Sequence, residues 1–415
     1  MAIVDTGKIL KEWFMLEELF YIHRKTVEDV PFKFKRYLHG AIDWDSPHLC
    51  ITGYRGAGKT TMLLQHYVEK YNDVEKCLYV SADNVEVSAV GLFRIASEYF
   101  KFGGDAIIID EIHKYPEWEL ELKNIIDTFK GKRVLISGSS SLELKQGKAD
   151  LSRRVVYYNL NELSFREYLE LKEGLVFPVL SLDELLKHHV KISGGLSKGR
   201  PILKYFRNYL STGAYPFIVE GENTYLSKLL NVIEKVIYED IAVAGDMKQS
   251  SIPALKKILW LIASTVPFQV NIDKMSRELG ISKEYVYNFL EYLDRAGMIN
   301  SIASEGKGYR LVRKPAKILI ANSNLLFAVN SSMMSESETG TVRETFFISQ
   351  LGNSFKTTLS EKGDFKVNDR YVFEIGGPGK DDTQIKGIKD SYVAADGIEV
   401  GFANKIPLYL FGFLY

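Results

Sequence analysis

The stretch Gly53-Tyr-Arg-Gly-Ala-Gly-Lys-Thr-Thr61 decides the fold of this chain. It matches the pattern G-x-x-x-x-G-K-[ST], follows the apolar run His48–Thr52, and leads directly into a helical pattern over Thr60–Tyr71. A strand, a glycine-rich loop and a helix in this order form a phosphate cradle. The glycines let backbone amides turn towards an anion, and the helix adds the positive end of its dipole. The pattern therefore predicts a nucleotide-binding P-loop domain.

Two positions of this cradle have specific predicted tasks. Lys59 neutralises charge on the β- and γ-phosphates, and the Thr60 hydroxyl completes the shell of a hydrated Mg²⁺. The N-K-x-D pattern that selects guanine is absent, since Asn404-Lys405 continues with Ile-Pro, and this favours ATP over GTP. ATP and Mg²⁺ are thus the predicted ligands. The other predicted nucleotide-binding residues lie in the same loop and first helical turn: Gly53, Arg55, Gly56, Ala57, Gly58 and Thr61. For Arg55, packing outward is an open alternative.

The second element of the site is acidic and follows the cradle along the chain. The run Ala106–Ile109 is apolar and is followed by Asp110 and Glu111. Acidic residues at the carboxyl end of a buried parallel strand lie at the edge where ligands bind. Asp110 is predicted to hold Mg²⁺ through water, and Glu111 to polarise the attacking water. The alternative is an ordinary acidic first turn of a helix.

Five short apolar runs, His48–Thr52, Cys77–Ser81, Ala106–Asp110, Arg133–Ser137 and Arg154–Leu160, alternate with helical patterns. This alternation predicts an α/β fold with a five-stranded parallel sheet covered on both faces.

Small polar and basic residues flank the last two of these runs. Ser139 follows Arg133–Ser137 and is a candidate to sense the γ-phosphate or orient the water, or else it is an ordinary polar turn residue. Arg153 and Arg154 precede the fifth strand. One of them is a candidate arginine finger, acting in its own subunit or in a neighbour, or they form a solvated basic pair.

Composition limits the classes of protein. Lys+Arg and Asp+Glu are equal at 53 each among 415 residues, which argues against a wholly basic nucleic-acid binder. Cys50 and Cys77 lie in apolar runs and are expected to be buried free thiols. Lys8, Lys11 and Glu12 interrupt any signal-peptide core, and no apolar run is long enough to span a membrane. A cytoplasmic protein with no membrane partner is expected.

In their order along the chain, these motifs resemble the archaeal-type AAA+ ATPases with a C-terminal domain of unknown function. The resemblance runs from about residue 30 to the end. In the family, Ile-Gln follows the acidic pair, where this chain has Ile112-His113. The family's Gly-Arg before the fifth strand appears as Arg153-Arg154, so the resemblance implies that Arg154 is the finger. Thr212–Pro216 is similar to its Gly-Gly-[Phe/Tyr]-Pro signature.

The family fold implies four parts, assigned here to residues 1–178 (P-loop AAA+ core of the additional-strand-catalytic-Glu type with an N-terminal helix), 179–248 (helical lid), 249–314 (winged helix) and 315–415 (a module like a restriction endonuclease).

The residues themselves support a winged helix in the third part. Asn271–Ser282 reads as helix, glycine turn and N-cap, Lys283–Ala296 as the second helix, and Gly306–Gly308 as a hairpin tip. The second helix carries a slight net negative charge, whereas the wing is basic. This charge pattern favours a structural or protein-contact module over DNA recognition, and weak non-specific DNA contact remains an alternative.

The resemblance places nuclease-type acids at Glu344, Asp364 and Glu374, but Gly376 stands where the nuclease lysine belongs. Nuclease activity is therefore not expected, although Lys380 lies close by in sequence. The predicted function is Mg²⁺-dependent ATP binding and hydrolysis by a molecular switch or small machine. A homo-oligomer is a possible partner arrangement for this function. The alternative is a nucleotide-gated DNA-binding or regulatory protein with slow turnover.

Overall fold

The five predicted strands of the N-terminal region pair into one sheet in the computed structural model, which describes residues 6–139, 151–242, 245, 247–264, 271–305 and 315–415. Side chains are described for these residues except 6–15 and 353. By its internal contacts the chain divides into two units, residues 1–160 and residues 161–415.

In the first unit, helices alternate with strands. The strands are β1 (His48–Gly53), β2 (Cys77–Ser81), β3 (Ala106–Asp110), β4 (Arg133–Ser137) and β5 (Val156–Leu160). The helices are α1 (Thr6–Val27), α2 (Lys59–Lys70), α3 (Val85–Val90), α4 (Leu92–Lys101) and α5 (Trp118–Thr128). All pairings in this sheet are parallel, in the order β2-β3-β4-β1-β5. The predicted α/β fold class is confirmed, and each strand starts or ends within two residues of its predicted run.

The apolar runs form strands because helices cover both faces of the sheet. Alternate residues of β3 enter two separate cores: Ile107 and Ile109 pack with α4 and α5, whereas Ala106 and Ile108 pack with α2. Strand β5 is at the edge and is the most exposed strand of the sheet. Both cysteines are buried free thiols, as expected, and burial raises the pKa of Cys50 to about 12 despite the opposing charge of Lys59.

The second unit combines helices with a mixed sheet. Its helices are α6 (Phe165–Glu173), α7 (Leu182–Ser197), α8 (Ile202–Thr212), α9 (Tyr225–Lys235), α10 (Ile252–Ser264), α11 (Ile272–Leu279), α12 (Lys283–Arg295), α13 (Ser323–Ser332) and α14 (Thr339–Leu351). Its strands are β6 (Ile299–Ser304), β7 (Lys317–Ile320), β8 (Thr357–Leu359), β9 (Phe365–Val367), β10 (Tyr371–Gly376), β11 (Ser391–Ala395) and β12 (Lys405–Pro407).

These strands form one sheet in the order β12-β11-β10-β9-β8-β6-β7, with both parallel and antiparallel pairs. The pair β6–β7 follows the two helices of the predicted winged helix, and β6 also pairs with β8. The predicted boundary at residue 314 thus lies between two strands of one sheet. The predicted boundaries at 178, 248 and 314 stay predictions, and the hairpin tip of the wing lies outside the described residues.

Asn324 is the centre of a buried polar junction in the second unit. Its Oδ1 accepts hydrogen bonds from the backbone N–H of Ala214 at 2.9 Å and from the Tyr225 hydroxyl at 2.6 Å. Its Nδ2 donates at 2.9 Å to the carbonyls of Tyr209 and Leu210. One fully buried amide therefore joins the start of α13 to the end of α8 and to α9.

Gly213, in the segment Thr212–Pro216, packs closely beside this junction. A Cβ at this position would lie 2.6 Å from the Cα of Tyr209 and 2.9 Å from the Tyr168 ring. Such contacts exclude any larger residue, so the glycine of this segment has a packing role.

The last residues of the chain are buried as well. Leu408–Phe413 form a 3-10 helix, and their side chains are almost fully buried. Across the described residues, every helix falls short of the length and apolar character needed to cross a membrane.

Candidate functional site

The glycines of the cradle have backbone conformations that other residues rarely adopt. The φ angles are 147° at Gly53, 84° at Gly56 and 96° at Gly58. A Cβ on Gly53 would also lie 2.2 Å from the carbonyl oxygen of Leu160 on the neighbouring strand β5. The loop between β1 and α2 can therefore keep this shape only with glycine at these positions.

Lys59 begins α2 and lies almost fully buried within the loop. Its ammonium group donates hydrogen bonds to the carbonyls of Gly53 (3.1 Å) and Tyr54 (3.0 Å). These bonds hold a positive charge at the mouth of the cradle. Arg36 contacts the same loop from a distant part of the chain, because its buried guanidinium donates to the carbonyl of Ala57.

The carboxylate of Asp110 lies beside the start of α2, at the end of β3. Its Oδ2 accepts hydrogen bonds from the hydroxyls of Thr60 (2.7 Å) and Tyr79 (2.9 Å), and its Oδ1 accepts one from Ser137. Three neighbouring elements, α2, β2 and β4, thus converge on one carboxylate. A negative group held by hydroxyl donors is suited to bind a hydrated cation.

Tyr79 stays protonated in this cluster. Burial, and then the negative charge of Asp110, raise the pKa of its hydroxyl above the ordinary tyrosine value. Tyr79 therefore acts as a hydrogen-bond donor that orients Asp110.

Glu111 follows in a left-handed conformation, with φ of 51°. Its backbone N–H donates to the Ser137 hydroxyl at 3.1 Å, and its side chain remains one-fifth exposed. Its Oε2 lies 3.5 Å from Nε2 of His113. The backbone N–H of Ser139, on the loop after β4, donates to Nδ1 of the same imidazole at 3.3 Å. The left-handed backbone of Glu111 is strained for a non-glycine residue, and strain of this kind is typical of functional sites.

Arg154 is distant from the cluster around Asp110 and Glu111 of the same chain. All strands of this sheet are parallel. The residues before β5 therefore lie at the amino ends of the strands, opposite to the carboxyl ends of β1 and β3. At about 3.3 Å per residue, β5 alone separates the two edges by roughly 16 Å. The Arg154 guanidinium donates to both carboxylate oxygens of Asp127 at 2.8 and 3.1 Å, and this contact lowers the pKa of Asp127.

The structure therefore brings most of the predicted site residues together. The loop residues, Asp110, Glu111 and Ser139 lie at the carboxyl edge of the sheet, whereas Arg154 does not. Sequence reasoning missed four further residues of this edge: Arg36, Tyr79, Ser137 and His113. For Ser137 and His113 a signal existed, since both lie within the quoted motifs. Nothing in the sequence connects Arg36 or Tyr79 to the cradle.

The nuclease-type acids of the second unit form a different arrangement. Glu344 lies on α14, Asp364 directly before β9, and Glu374 on β10. Burial raises the pKa of Glu344 and of Glu374, and the charge of Asp364 adds to both shifts. Lys317 lies 2.5 Å from Glu344, and Lys380 pairs with Glu374.

Lys380 occupies the space beside Gly376. A Cβ on Gly376 would lie 2.6 Å from Cβ and Cγ of Lys380, so a lysine at 376 would fill the position that Lys380 takes from the following turn. In the part of the chain that the structure describes, no group of three or more His, Cys, Asp or Glu residues is arranged to hold a metal ion.

Comparisons with known proteins agree with this fold. Residues 45–169 match the family described as AAA domain, and residues 203–336 match a domain of unknown function, DUF8612. Two proteins of Methanocaldococcus jannaschii are similar: the uncharacterized protein MJ1637 is 26% identical over 65% of this chain and 59% of its own length, and MJ1544 is 23% identical over 60% and 55%. The matched region thus spans little more than half of these relatives.

Three solved structures are similar at low scores. AMPPCP-bound DnaA from Aquifex aeolicus has a TM-score of 0.27 and 16% identity, over 62% of this chain and 80% of DnaA. The Hsp104–ADP complex of S. cerevisiae has a TM-score of 0.27 and 14% identity, over 66% and 39%. PCH-2 of C. elegans has a TM-score of 0.24 and 16% identity, over 68% of each chain. These scores are too low to support an argument.

The family match and the parallel sheet together define the class of the N-terminal domain. Residues 45–169 form an AAA-type domain with a P-loop and a five-stranded parallel sheet. A domain of this class supports nucleotide binding and hydrolysis in general.

Proposed function

We propose that this protein is a Mg²⁺-dependent ATPase that acts as a molecular switch or small machine. The contact between the Thr60 hydroxyl and the Asp110 carboxylate, at 2.7 Å, carries the proposal. A hydroxyl directly after the P-loop lysine and a carboxylate at the carboxyl end of another strand of the same sheet are the two groups that hold hydrated Mg²⁺ in P-loop enzymes. Both belong to one hydrogen-bonded cluster here.

Each remaining group has a task in this proposal. Lys59 moves from the loop carbonyls to the β- and γ-phosphates, where its charge offsets theirs. Glu111, directly beside the cation site and partly open to water, polarises the attacking water. Ser139, on the next strand's loop, faces the γ-phosphate. The absence of a guanine-selective N-K-x-D pattern supports ATP as the nucleotide.

Paired substitutions test these assignments. Glu111→Gln should keep ATP affinity and slow hydrolysis by about 10²-fold, because it removes the general base. Lys59→Ala should weaken ATP binding by roughly 10- to 100-fold, since it removes charge-assisted bonds to phosphate. Calorimetry measures binding, and phosphate release measures hydrolysis. Lys70→Ala is the matched control, because Lys70 ends the same helix in an exposed ion pair. Wild-type hydrolysis by Glu111→Gln would overturn the role of Glu111.

Arg154 is proposed to act on a nucleotide bound by a second copy of this chain. Its place at the opposite sheet edge, roughly 16 Å from the cradle, supports action in trans over action in cis. To reach a phosphate, its guanidinium must leave Asp127.

The test of this role compares adjacent arginines. Arg154→Ala should lower turnover by tenfold or more, as expected for an arginine finger. Arg153→Ala, an exposed neighbour, should leave turnover unchanged. Turnover per chain should also rise with protein concentration. Equal effects of the two substitutions, or a rate independent of concentration, would contradict a finger in trans.

A nucleotide-gated DNA-associated regulator is the second candidate. The two helices α11 and α12, joined through Gly280 and an N-cap at Ser282, favour it. Basic residues there already form surface ion pairs: Lys283 with Asp273, Arg295 with Glu291, and Lys274 with Glu278. Any DNA contact should therefore be weak and steeply salt-dependent. A gel-shift series at rising salt tests it, and no shift at low salt would remove this candidate.

A further inference from the structure

His113 joins two parts of the candidate site that the sequence leaves separate. Its Nδ1 lies 3.3 Å from the backbone nitrogen of Ser139, and its Nε2 lies 3.5 Å from Oε2 of Glu111. The His113 side chain is only 7% exposed, so these contacts are within the protein and not on its surface. Neither the P-loop nor the cation-binding carboxylate takes part in them.

The chain direction after β3 creates this bridge. Glu111 adopts the left-handed conformation, and Ile112–Lys114 form one turn of 3-10 helix. This reversal returns His113, two residues later, towards the carboxylate of Glu111. Ile112 anchors the turn because it is fully buried. The strained backbone thus positions the imidazole.

The hydrogen bond at one ring nitrogen decides what the other can do. The Ser139 N–H donates to Nδ1, so Nδ1 carries a lone pair and not a proton. In a neutral imidazole the proton then lies on Nε2, which faces Glu111. His113 therefore accepts a hydrogen bond from the loop after β4, and its Nε2 lies 3.5 Å from the Glu111 carboxylate, an electrostatic contact longer than a usual N–H···O hydrogen bond.

We propose that His113 is a positioning residue that couples Ser139 to Glu111. The inference rests on the proposed function, because it assumes that Glu111 polarises water and that the Ser139 loop faces the γ-phosphate. A shift of the Ser139 backbone moves the imidazole and, through Nε2, the carboxylate. The presence of a γ-phosphate is in this way transmitted to the group that activates the attacking water.

Substitutions at 113 separate positioning from packing. His113→Ala should lower kcat for ATP about tenfold and change the nucleotide Kd less than twofold, because it displaces the base but not the cradle. His113→Gln should restore kcat to within about threefold, since its amide oxygen accepts from Ser139 and its amide nitrogen donates to Glu111. His113→Met fills the space without these polar contacts and should match His113→Ala. It replaces His113→Ala if that variant does not fold.

The double variant distinguishes this inference from the proposed function. If His113 acts through Glu111, then His113→Ala in a Glu111→Gln background should slow hydrolysis no further than Glu111→Gln alone. Slow Glu111→Gln together with normal His113→Ala and His113→Met would overturn only the role of His113. A full additional loss in the double variant, or equal losses for Gln and Met, would also overturn it. Wild-type hydrolysis by Glu111→Gln would instead overturn the proposed function.

Discussion

The acidic groups at the carboxyl edge of the parallel sheet and those around the mixed sheet of the second unit have different partners. At the carboxyl edge of the parallel sheet, the Asp110 carboxylate accepts hydrogen bonds from three hydroxyl groups. In the second unit, Glu344 and Glu374 each pair with a lysine ammonium. Hydroxyls orient a carboxylate and leave its charge uncompensated, whereas an ammonium group neutralises it. The first arrangement is suited to a cation, and the second balances charge within the fold.

Buried polar groups of the second unit have the same structural character. The Asn324 amide uses its hydrogen-bonding groups on backbone and hydroxyl partners of neighbouring helices. We expect substitutions in the first cluster to change chemistry with little change in stability. We expect the reverse for substitutions in the second unit.

Asp110→Asn should have the largest effect. The amide removes the charge that we propose to hold Mg²⁺, so hydrolysis should fall by about 10³-fold, equivalent to about 4 kcal/mol of transition-state stabilisation. Glu374→Gln should leave hydrolysis within about twofold. Phosphate release at saturating ATP and Mg²⁺ measures both. Equal losses of hydrolysis in the two variants would show that the two acidic clusters do not differ in function.

Asn324→Leu should have the second largest effect, on the free energy of unfolding. Leucine has a similar volume but leaves the Ala214 N–H, the Tyr225 hydroxyl and the Leu210 carbonyl without their partner. At about 1 kcal/mol or more for each unsatisfied buried group, the loss should be roughly 3 kcal/mol. Urea unfolding followed by fluorescence measures it. A loss below about 1 kcal/mol would show that the junction contributes little, and ATP affinity should stay unchanged.

Lys380→Met should have the smallest effect, with a clear pH dependence. Burial raises the pKa of Glu374 and Lys380 opposes this shift, so without Lys380 the folded-state pKa rises further. Because the folded pKa is then above the unfolded one, stability is kept below the unfolded value and lost as pH rises through the folded value. Since Lys380 is partly exposed, the loss should be about 1–2 kcal/mol at neutral pH and should shrink near pH 4.

Lys356→Met provides the control for this experiment. Lys356 and Asp369 form an ion pair in which both side chains are more than half exposed. Such pairs contribute about 0–1 kcal/mol, so this variant should unfold almost like the wild type at both pH values. A pH-independent loss in Lys380→Met would contradict the assigned charge pair.

Local patterns predicted the first unit well. The alternation of apolar runs and helical segments gave all five strands, because a buried parallel strand is apolar along its whole length. The cradle was predictable for a related reason: its glycines, lysine and threonine are consecutive in sequence. Asp110 and Glu111 followed from their place after a buried strand.

The sequence by itself thus determined the order of strands and helices of the first unit, the glycine-rich loop between β1 and α2, and the acidic pair at the end of β3. Only the tertiary structure decided which side chains surround that pair. Tyr79 reaches Asp110 across 31 positions and Arg36 reaches Ala57 across 21, and no periodicity encodes such contacts. It also separated Arg154 from the cradle and brought Lys380 to Glu374. Local patterns reflect backbone hydrogen bonding and burial, whereas these pairings depend on which distant segments pack together in the folded chain.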